Sequence, residues 1–214
     1  MIFNSFSYLV FFPVVTLLYF LLPKKIRWVW LLVSSYYFYM NWHAEYALLM
    51  AASTVVTYAC ALLVSHFEKQ KTRKLVLIAG IVFNVGLLGY FKYTGMFIDV
   101  LNRACAFLGF EMQLPQVDIL LPVGISFYTF QVLSYVVDVY RGQVEAQKSF
   151  IDLAAYIAMF PQLIAGPIVR YADIQDQLRH RSHRLEQAAL GARCFVIGLS
   201  KKVLIANVLY QLIT

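Results

Sequence analysis

Residues 121–141 read LPVGISFYTFQVLSYVVDVYR, an apolar run studded with polar groups. It is apolar enough to sit in a bilayer, yet Ser126, Tyr128, Thr129, Gln131, Ser134, Tyr135 and Asp138 interrupt it. Each hydrogen-bonding group left unpaired in hydrocarbon costs several kcal/mol, so a segment that only met lipid would not carry so many. These groups are expected to face protein, water or substrate. For any one of them, a bond to a neighbouring helix is the plainer explanation; the cluster as a whole points to a polar wall.

The rest of the chain is of the same kind. Hydrophobic residues make up 61% and charged residues 14% of the 214, and the mean hydropathy is +0.68. That composition is too apolar for a water-soluble surface. The apolar runs recur along the whole length with no long polar block between them, so 1–214 is expected to form one all-helical, multispanning membrane domain. The opening lacks the basic start and small-residue cleavage site of a signal peptide and is expected to be a retained span.

The net charge of +7 raises nucleic acid as a partner, but the basic residues sit in short segments between apolar runs rather than along one stripe. Lys24, Lys25 and Arg27, then Lys69, Lys71, Arg73 and Lys74, then Arg170, Arg179, Arg181 and Arg184 follow the positive-inside pattern. Membrane lipid, not nucleic acid, is the expected surroundings. The segments His66–Lys74 and Arg170–Arg184 are expected in the cytoplasm and Asn41–Glu45 outside. Cys60, Cys105 and Cys194 form no CxxC pair and are expected to be small buried residues without metal.

Spans are expected over Phe6–Leu22, Ile26–Met40, Ala44–Ser65, Leu75–Phe91 and Val123–Tyr140, the last with Pro122 in its first turn. The aromatic end of the second, Tyr36 to Trp42, suits the interfacial belt. HFEKQKTRK, residues 66–74, reads as a loop, and so does Gly109–Gln116. Met96–Leu108 either extends the fourth span or lies along the interface, with Asp99 and Arg103 on one polar edge. Ser149–Ala165 contains Pro161 and leads to Gly166 and Pro167, so the helix is expected to break near membrane depth. Phe160–Arg170 then becomes either a re-entrant pocket wall or a helix end at the interface. Tyr171–Glu186 reads as polar and cytoplasmic, and Leu190–Ile213 as apolar again.

No GxSxG, HExxH or P-loop is present. Of the four histidines, His66, His180 and His183 read as surface residues among charges and His43 as an interfacial residue. None sits in a polar membrane segment, so no catalytic residue is assigned. Asp138 is expected to pair with Arg141 at i+3 or to line a charged vestibule with it. Arg170, just past the break, is either a positive-inside anchor or a ligand for an anionic group such as phosphate.

Residues 121–142, LPVGISFYTFQVLSYVVDVYRG, followed by residues 156–171, YIAMFPQLIAGPIVRY, resemble the paired signature of the membrane-bound O-acyltransferases, in the branch that includes alginate O-acetyltransferases. The opening FNSFSYLVFFPVVTLLYFLLP, YYFYMNW, LGYFKYTG and GLSKKVLIAN resemble that branch in the same order, so the similarity covers nearly the whole chain. It implies a funnelled core in the inner membrane and acetyl-CoA as acyl donor, with no bound cofactor. It also implies transfer toward an extracytoplasmic acetyltransferase partner and, through it, a polysaccharide such as alginate. Members of the family are longer and carry their catalytic histidine in a later helix, so this chain is expected to be the N-terminal part and inactive alone. Within it Ser126, Tyr128, Thr129, Gln131, Gly166, Pro167 and Arg170 are the expected tunnel wall, with Gln131 and Arg170 acting on transfer rather than on folding. A transporter or flippase, or an inactive scaffold, is the alternative; the first predicts repeat symmetry and deep charges, both weak here.

Overall fold

A computed structural model of the chain describes residues 5–108, 115, 119–163, 168–179 and 185–209. Among these residues every regular element is helical: α1 (Phe6–Leu21), α2 (Arg27–Met40), α3 (Ala44–His66), α4 (Gln70–Phe107), α5 (Ile125–Tyr140), α6 (Phe150–Ala158), α7 (Phe160–Leu163), α8 (Tyr171–Arg179) and α9 (Leu185–Lys201), which continues as a π-helical stretch Lys202–Ala206. The helices gather into two compact units, residues 1–21 with 175–214, and residues 22–174. In the first, Phe195 of α9 stacks on Phe12 of α1 at 5.0 Å between ring centroids. The candidate site lies wholly in the second.

There α3 is the central helix, packed against α2, α4, α5 and α6. At about 1.5 Å per residue its 23 residues cover the roughly 30 Å of a bilayer core. Small and polar side chains let its neighbours approach closely: Gly80 of α4 takes the Cys60 sulfur where a Cβ would stand, and the Ser53 hydroxyl donates to the Asn84 carbonyl oxygen across the same seam. Such contacts replace the hydrophobic drive that is lost in lipid. The outward face of α4 is apolar, with Leu75, Ile78, Val82 and Val85 all exposed. Both α3 and α4 are long and apolar enough to cross a membrane, and α1 is a shorter apolar helix.

The two ends of this unit differ in charge. At one end, Arg73 donates from Nε to the Val64 carbonyl (3.1 Å) and from Nη2 to the Tyr140 carbonyl (3.0 Å). Its guanidinium lies 5.4 Å from the centroid of the Tyr140 ring. A cation thus sits on the C-terminal carbonyls of two parallel helices, α3 and α5, where orphan acceptors and the helix dipoles favour it. At the other end the Tyr46 hydroxyl donates to the Leu120 carbonyl (2.6 Å).

Several boundaries differ from those the sequence suggests. The helix α4 runs unbroken through GYFKYTG and Met96–Leu108, its 38 residues spanning about 57 Å. Phe91 meets Tyr46 near the start of α3, so the following four turns project past that end, with Asp99 and Arg103 exposed. The expected loop at residues 66–74 shrinks to Phe67–Lys69, because Gln70 already opens α4. Pro122 is not in the first turn of α5; its carbonyl accepts from Ile125 N–H in the turn before it. In α2, Phe38 and Tyr39 are buried while Tyr37 is exposed, so only part of the aromatic run suits an interface. Cys60 is buried as expected, Cys105 is half-buried and Cys194 exposed. The helix α9 starts at Leu185, five residues before the apolar run at Leu190. Apart from Pro115, the loop expected at Gly109–Gln116 lies outside the described residues.

Candidate functional site: the polar seam of α5

The start of α5 is fixed by Gly124, whose φ of +77° only glycine adopts without strain. A Cβ there would stand 2.5 Å from the Leu163 carbonyl oxygen. The C-terminus closes in a Schellman motif: Gly142, with φ of +73°, donates to Val139 O (3.1 Å) and Gln143 N–H donates to Asp138 O (2.9 Å). Between these stops the polar residues fall on the protein-facing side. Tyr128, Thr129, Gln131, Tyr135 and Asp138 are all buried, whereas Phe130 is exposed. Ser126 is half-buried.

Facing α5 is a helix that breaks. Ser149 caps α6, its Oγ accepting from Asp152 N–H (3.3 Å). The break comes at Met159 (ψ 108°), two residues before Pro161. The reason is that proline lacks an N–H and clashes with the carbonyl four residues back, whereas in the first turn of a new helix neither matters. Breaking there releases the Tyr156 carbonyl and the Phe160 N–H that would otherwise pair. The Phe160 N–H is taken by Ser35 Oγ of α2 (3.3 Å). The carbonyl accepts from Gln131 Nε2 (3.1 Å) and from Gln162 Nε2 (2.9 Å). Gln131, expected to act on transfer rather than on folding, is thus bonded into the fold and repairs the break.

Past the break, described residues are found at both ends of α5. Leu163 lies at Gly124, the N-terminal end of α5, while Val169 O accepts from the Tyr156 hydroxyl (2.8 Å) and Arg170 meets Asp138, near the C-terminal end. Residues 160–163 thus reach one end of the unit and residues 169 and 170 lie at the other, which favours the re-entrant reading over a plain helix end. Gly166 and Pro167 themselves lie outside the described residues.

Arg170 is held at that end by an ion pair the sequence did not suggest. Asp138 pairs with Arg170, not with Arg141: Arg170 Nη2 donates to Asp138 Oδ1 at 2.6 Å and to Gln143 Oε1 at 3.2 Å. Asp138 is only 3% exposed at its side chain and Arg170 50%, while Arg141 is exposed. The hydrogen bond to Asp138 raises the Arg170 pKa further above its already high value, so the guanidinium stays charged. Next to it, three buried tyrosines pack edge to face, Tyr171 lying 4.9 Å from Tyr135 and 5.3 Å from Tyr156. Tyr135 Oη accepts from Gln147 N–H (2.8 Å), and Tyr171 Oη from Gln147 Nε2 (3.0 Å).

Some buried polar atoms are unpaired. Asp138 Oδ2 and the hydroxyls of Tyr39, Thr57 and Tyr128 have no hydrogen-bond partner among the described residues. Tyr39 of α2 is the residue sequence reasoning missed; the signal was the stripe Ser34, Ser35, Phe38 and Tyr39, whose helical spacing marks one inward face. His43 precedes α3 and His66 ends it, both exposed and neither in the seam. His180 and His183 lie outside the described residues. No group of three or more His, Cys, Asp or Glu that could hold a metal is found among the described residues.

Comparison with known proteins bears on this arrangement. Over 214 residues the chain is 41% identical to the "Probable alginate O-acetylase AlgI" of Pseudomonas aeruginosa, covering 99% of this chain and 41% of that protein. The protein of the same description from Azotobacter vinelandii is 41% identical, covering 97% of this chain and 42% of its own length. The "Peptidoglycan O-acetyltransferase" of Helicobacter pylori is 33% identical over 87% of this chain and 39% of its own length. The chain therefore spans about two fifths of the length of the curated relatives it matches, and corresponds to their N-terminal part. No solved structure matches. Residues 143–214, from the end of α5 through the broken helix to α9, match the family described as MBOAT, membrane-bound O-acyltransferase, and the chain is an all-helical membrane protein belonging to that family.

Proposed function

We propose that this chain is part of an O-acetyltransferase of the inner membrane that crosses the bilayer several times as one membrane domain and moves acetyl groups toward an extracytoplasmic polysaccharide. The observation that carries this reading is the extent of similarity to alginate and peptidoglycan O-acetylating proteins, which runs through the whole α5 seam rather than one short motif. In this reading acetyl-CoA is the donor and is met at the basic end, where Arg73, Arg141 and Arg170 gather. A carbohydrate acceptor, reached through an extracytoplasmic acetyltransferase partner, lies beyond the opposite end.

The geometry gives the seam a definite part in such a reaction. A helix broken inside a bundle and repaired by Gln131, Gln162 and Ser35 holds a rigid polar edge in an apolar surround. Such irregular backbone is tolerated in a membrane only where protein or a wet cavity covers it. Ser126 is half-buried and Arg170 half-exposed, so these two offer accessible polar groups along the seam, with Tyr128 and Thr129 behind them.

Deletion of the gene tests the reading. The O-acetyl content of the secreted or wall polysaccharide is expected to fall to background and to return on complementation with the complete gene. An unchanged acetyl content, in a strain with no second gene of this family, contradicts it.

A further inference from the structure

Most of the buried tyrosines in the unit formed by residues 22–174 have a hydroxyl engaged in a hydrogen bond, Tyr156 as donor and Tyr135 and Tyr171 as acceptors. Tyr135, Tyr156 and Tyr171 each have a hydroxyl partner at 3.0 Å or less. Tyr39 and Tyr128 do not, although they are 4% and 1% exposed. These two are also neighbours. Tyr128 of α5 lies within electrostatic reach of Tyr39 and Tyr36 of α2, and Tyr39 within reach of Tyr36 and of Tyr46 of α3. The other two members of the group are engaged elsewhere, Tyr36 with Thr54 and Tyr46 with the Leu120 carbonyl. Four phenols from three helices are thus neighbours, and the two most buried have hydroxyls with no hydrogen-bond partner among the described residues.

Leaving a buried donor unsatisfied is costly, and phenylalanine would fill the same space without that cost. The unit does use phenylalanine at the adjacent buried position, Phe38. The two hydroxyls are therefore explained by an acceptor that binds between them. A carbonyl oxygen has two lone pairs and no proton, so it satisfies both donors and strands nothing. A water would bring two donors of its own, each needing an acceptor. Tyr128 lies one turn inside the start of α5, at the end away from Arg73 and Arg170, where a group passing through from the basic end would arrive.

We propose that the hydroxyls of Tyr39 and Tyr128 form a receptor for the carbonyl oxygen of the transferred acyl group. The proposal rests on the acetyltransferase reading and gives the carbonyl a place within it. Two hydrogen bonds from a dry site orient the acyl group and draw electron density from its carbon, an effect that water-exposed donors deliver poorly.

The test uses the complete protein in nanodiscs with Tyr39→Phe, Tyr128→Phe and the double substitution. Each single change is expected to lower acetyl transfer from acetyl-CoA about tenfold or more, and the double change about 10²- to 10³-fold. The melting temperature should hold or rise, because each change removes an unsatisfied hydroxyl. Wild-type transfer rates in the double variant overturn the proposal, and so does a loss of activity that only follows a lower melting temperature, the mark of hydroxyls held by a structural water. If the wild-type protein itself transfers no acetyl group, the acetyltransferase reading fails, and infrared difference spectra with [1-13C]acetyl-CoA decide the site separately. A carbonyl band at lower frequency in wild type that reverts in the double variant supports the receptor; identical bands in both remove it.

Discussion

The repair of the α6 break gives a prediction that can be worked from single bonds. The Tyr156 carbonyl accepts from Gln131 at 3.1 Å and Gln162 at 2.9 Å, and its helical partner, Phe160 N–H, is occupied by Ser35. Gln131→Leu or Gln162→Leu alone removes one bond and leaves the carbonyl paired, a loss of about 0.5–1.5 kcal/mol each. Together they leave a buried carbonyl with no partner, adding a desolvation penalty of about 1–3 kcal/mol to the lost bonds. The double variant should therefore be less stable than the sum of the singles, a coupling expected of residues that share one acceptor. Reversible unfolding of the purified protein in mixed micelles, followed by helical circular dichroism, gives the four free energies of the cycle. Additive losses, or a double variant as stable as wild type, would refute the argument that these amides brace the break.

Other predictions follow from the ends of the helices. Gly124→Ala is expected to cost more than the about 1–2 kcal/mol of an alanine at positive φ, because its Cβ meets the Leu163 carbonyl; Gly142→Ala, equally strained in φ but with open space around it, should show the φ cost alone, as read from the same unfolding experiment. Arg73→Ala strips a charged donor from the carbonyls of Val64 and Tyr140 and should destabilise by about 1.5–3 kcal/mol, with Arg73→Lys recovering only part of it, since lysine has no planar fork to reach both. For topology, single cysteines at Lys71 and at Glu45 in a cysteine-free background should label oppositely: an impermeant thiol reagent added to intact cells is expected to modify Glu45→Cys and spare Lys71→Cys.

The helices α1, α2, α3 and α5 were legible within one or two residues, because an apolar run bounded by Pro23, by residues 41–43 or by the Gly142 turn leaves little freedom. The continuity of α4 was not, since Lys92 between two glycines reads as a span end although helical hydrogen bonds pass through it at small cost. Pro161 announced a break, but only its need for a first-turn position explains why the break falls at Met159. Partners distant in sequence were the main loss: Asp138 has Arg141 three residues away, and nothing in the pattern says that Arg170 reaches it first. Tyr39 was hidden for a related reason, since buried and interfacial aromatic residues look alike until the stripe through Ser35 and Phe38 is seen to face α6 and α7.

Acetyl transfer across the bilayer is measurable from each side separately. The complete protein is reconstituted in sealed proteoliposomes, labelled acetyl-CoA is supplied only at the face that carries Lys71, and an acceptor carbohydrate with the proposed partner acetyltransferase is supplied only at the face that carries Glu45. The account predicts labelled ester on the carbohydrate at the Glu45 face, and none when the donor is placed there instead. Ester formed equally from either face, or none from the Lys71 face with folded protein, would contradict it.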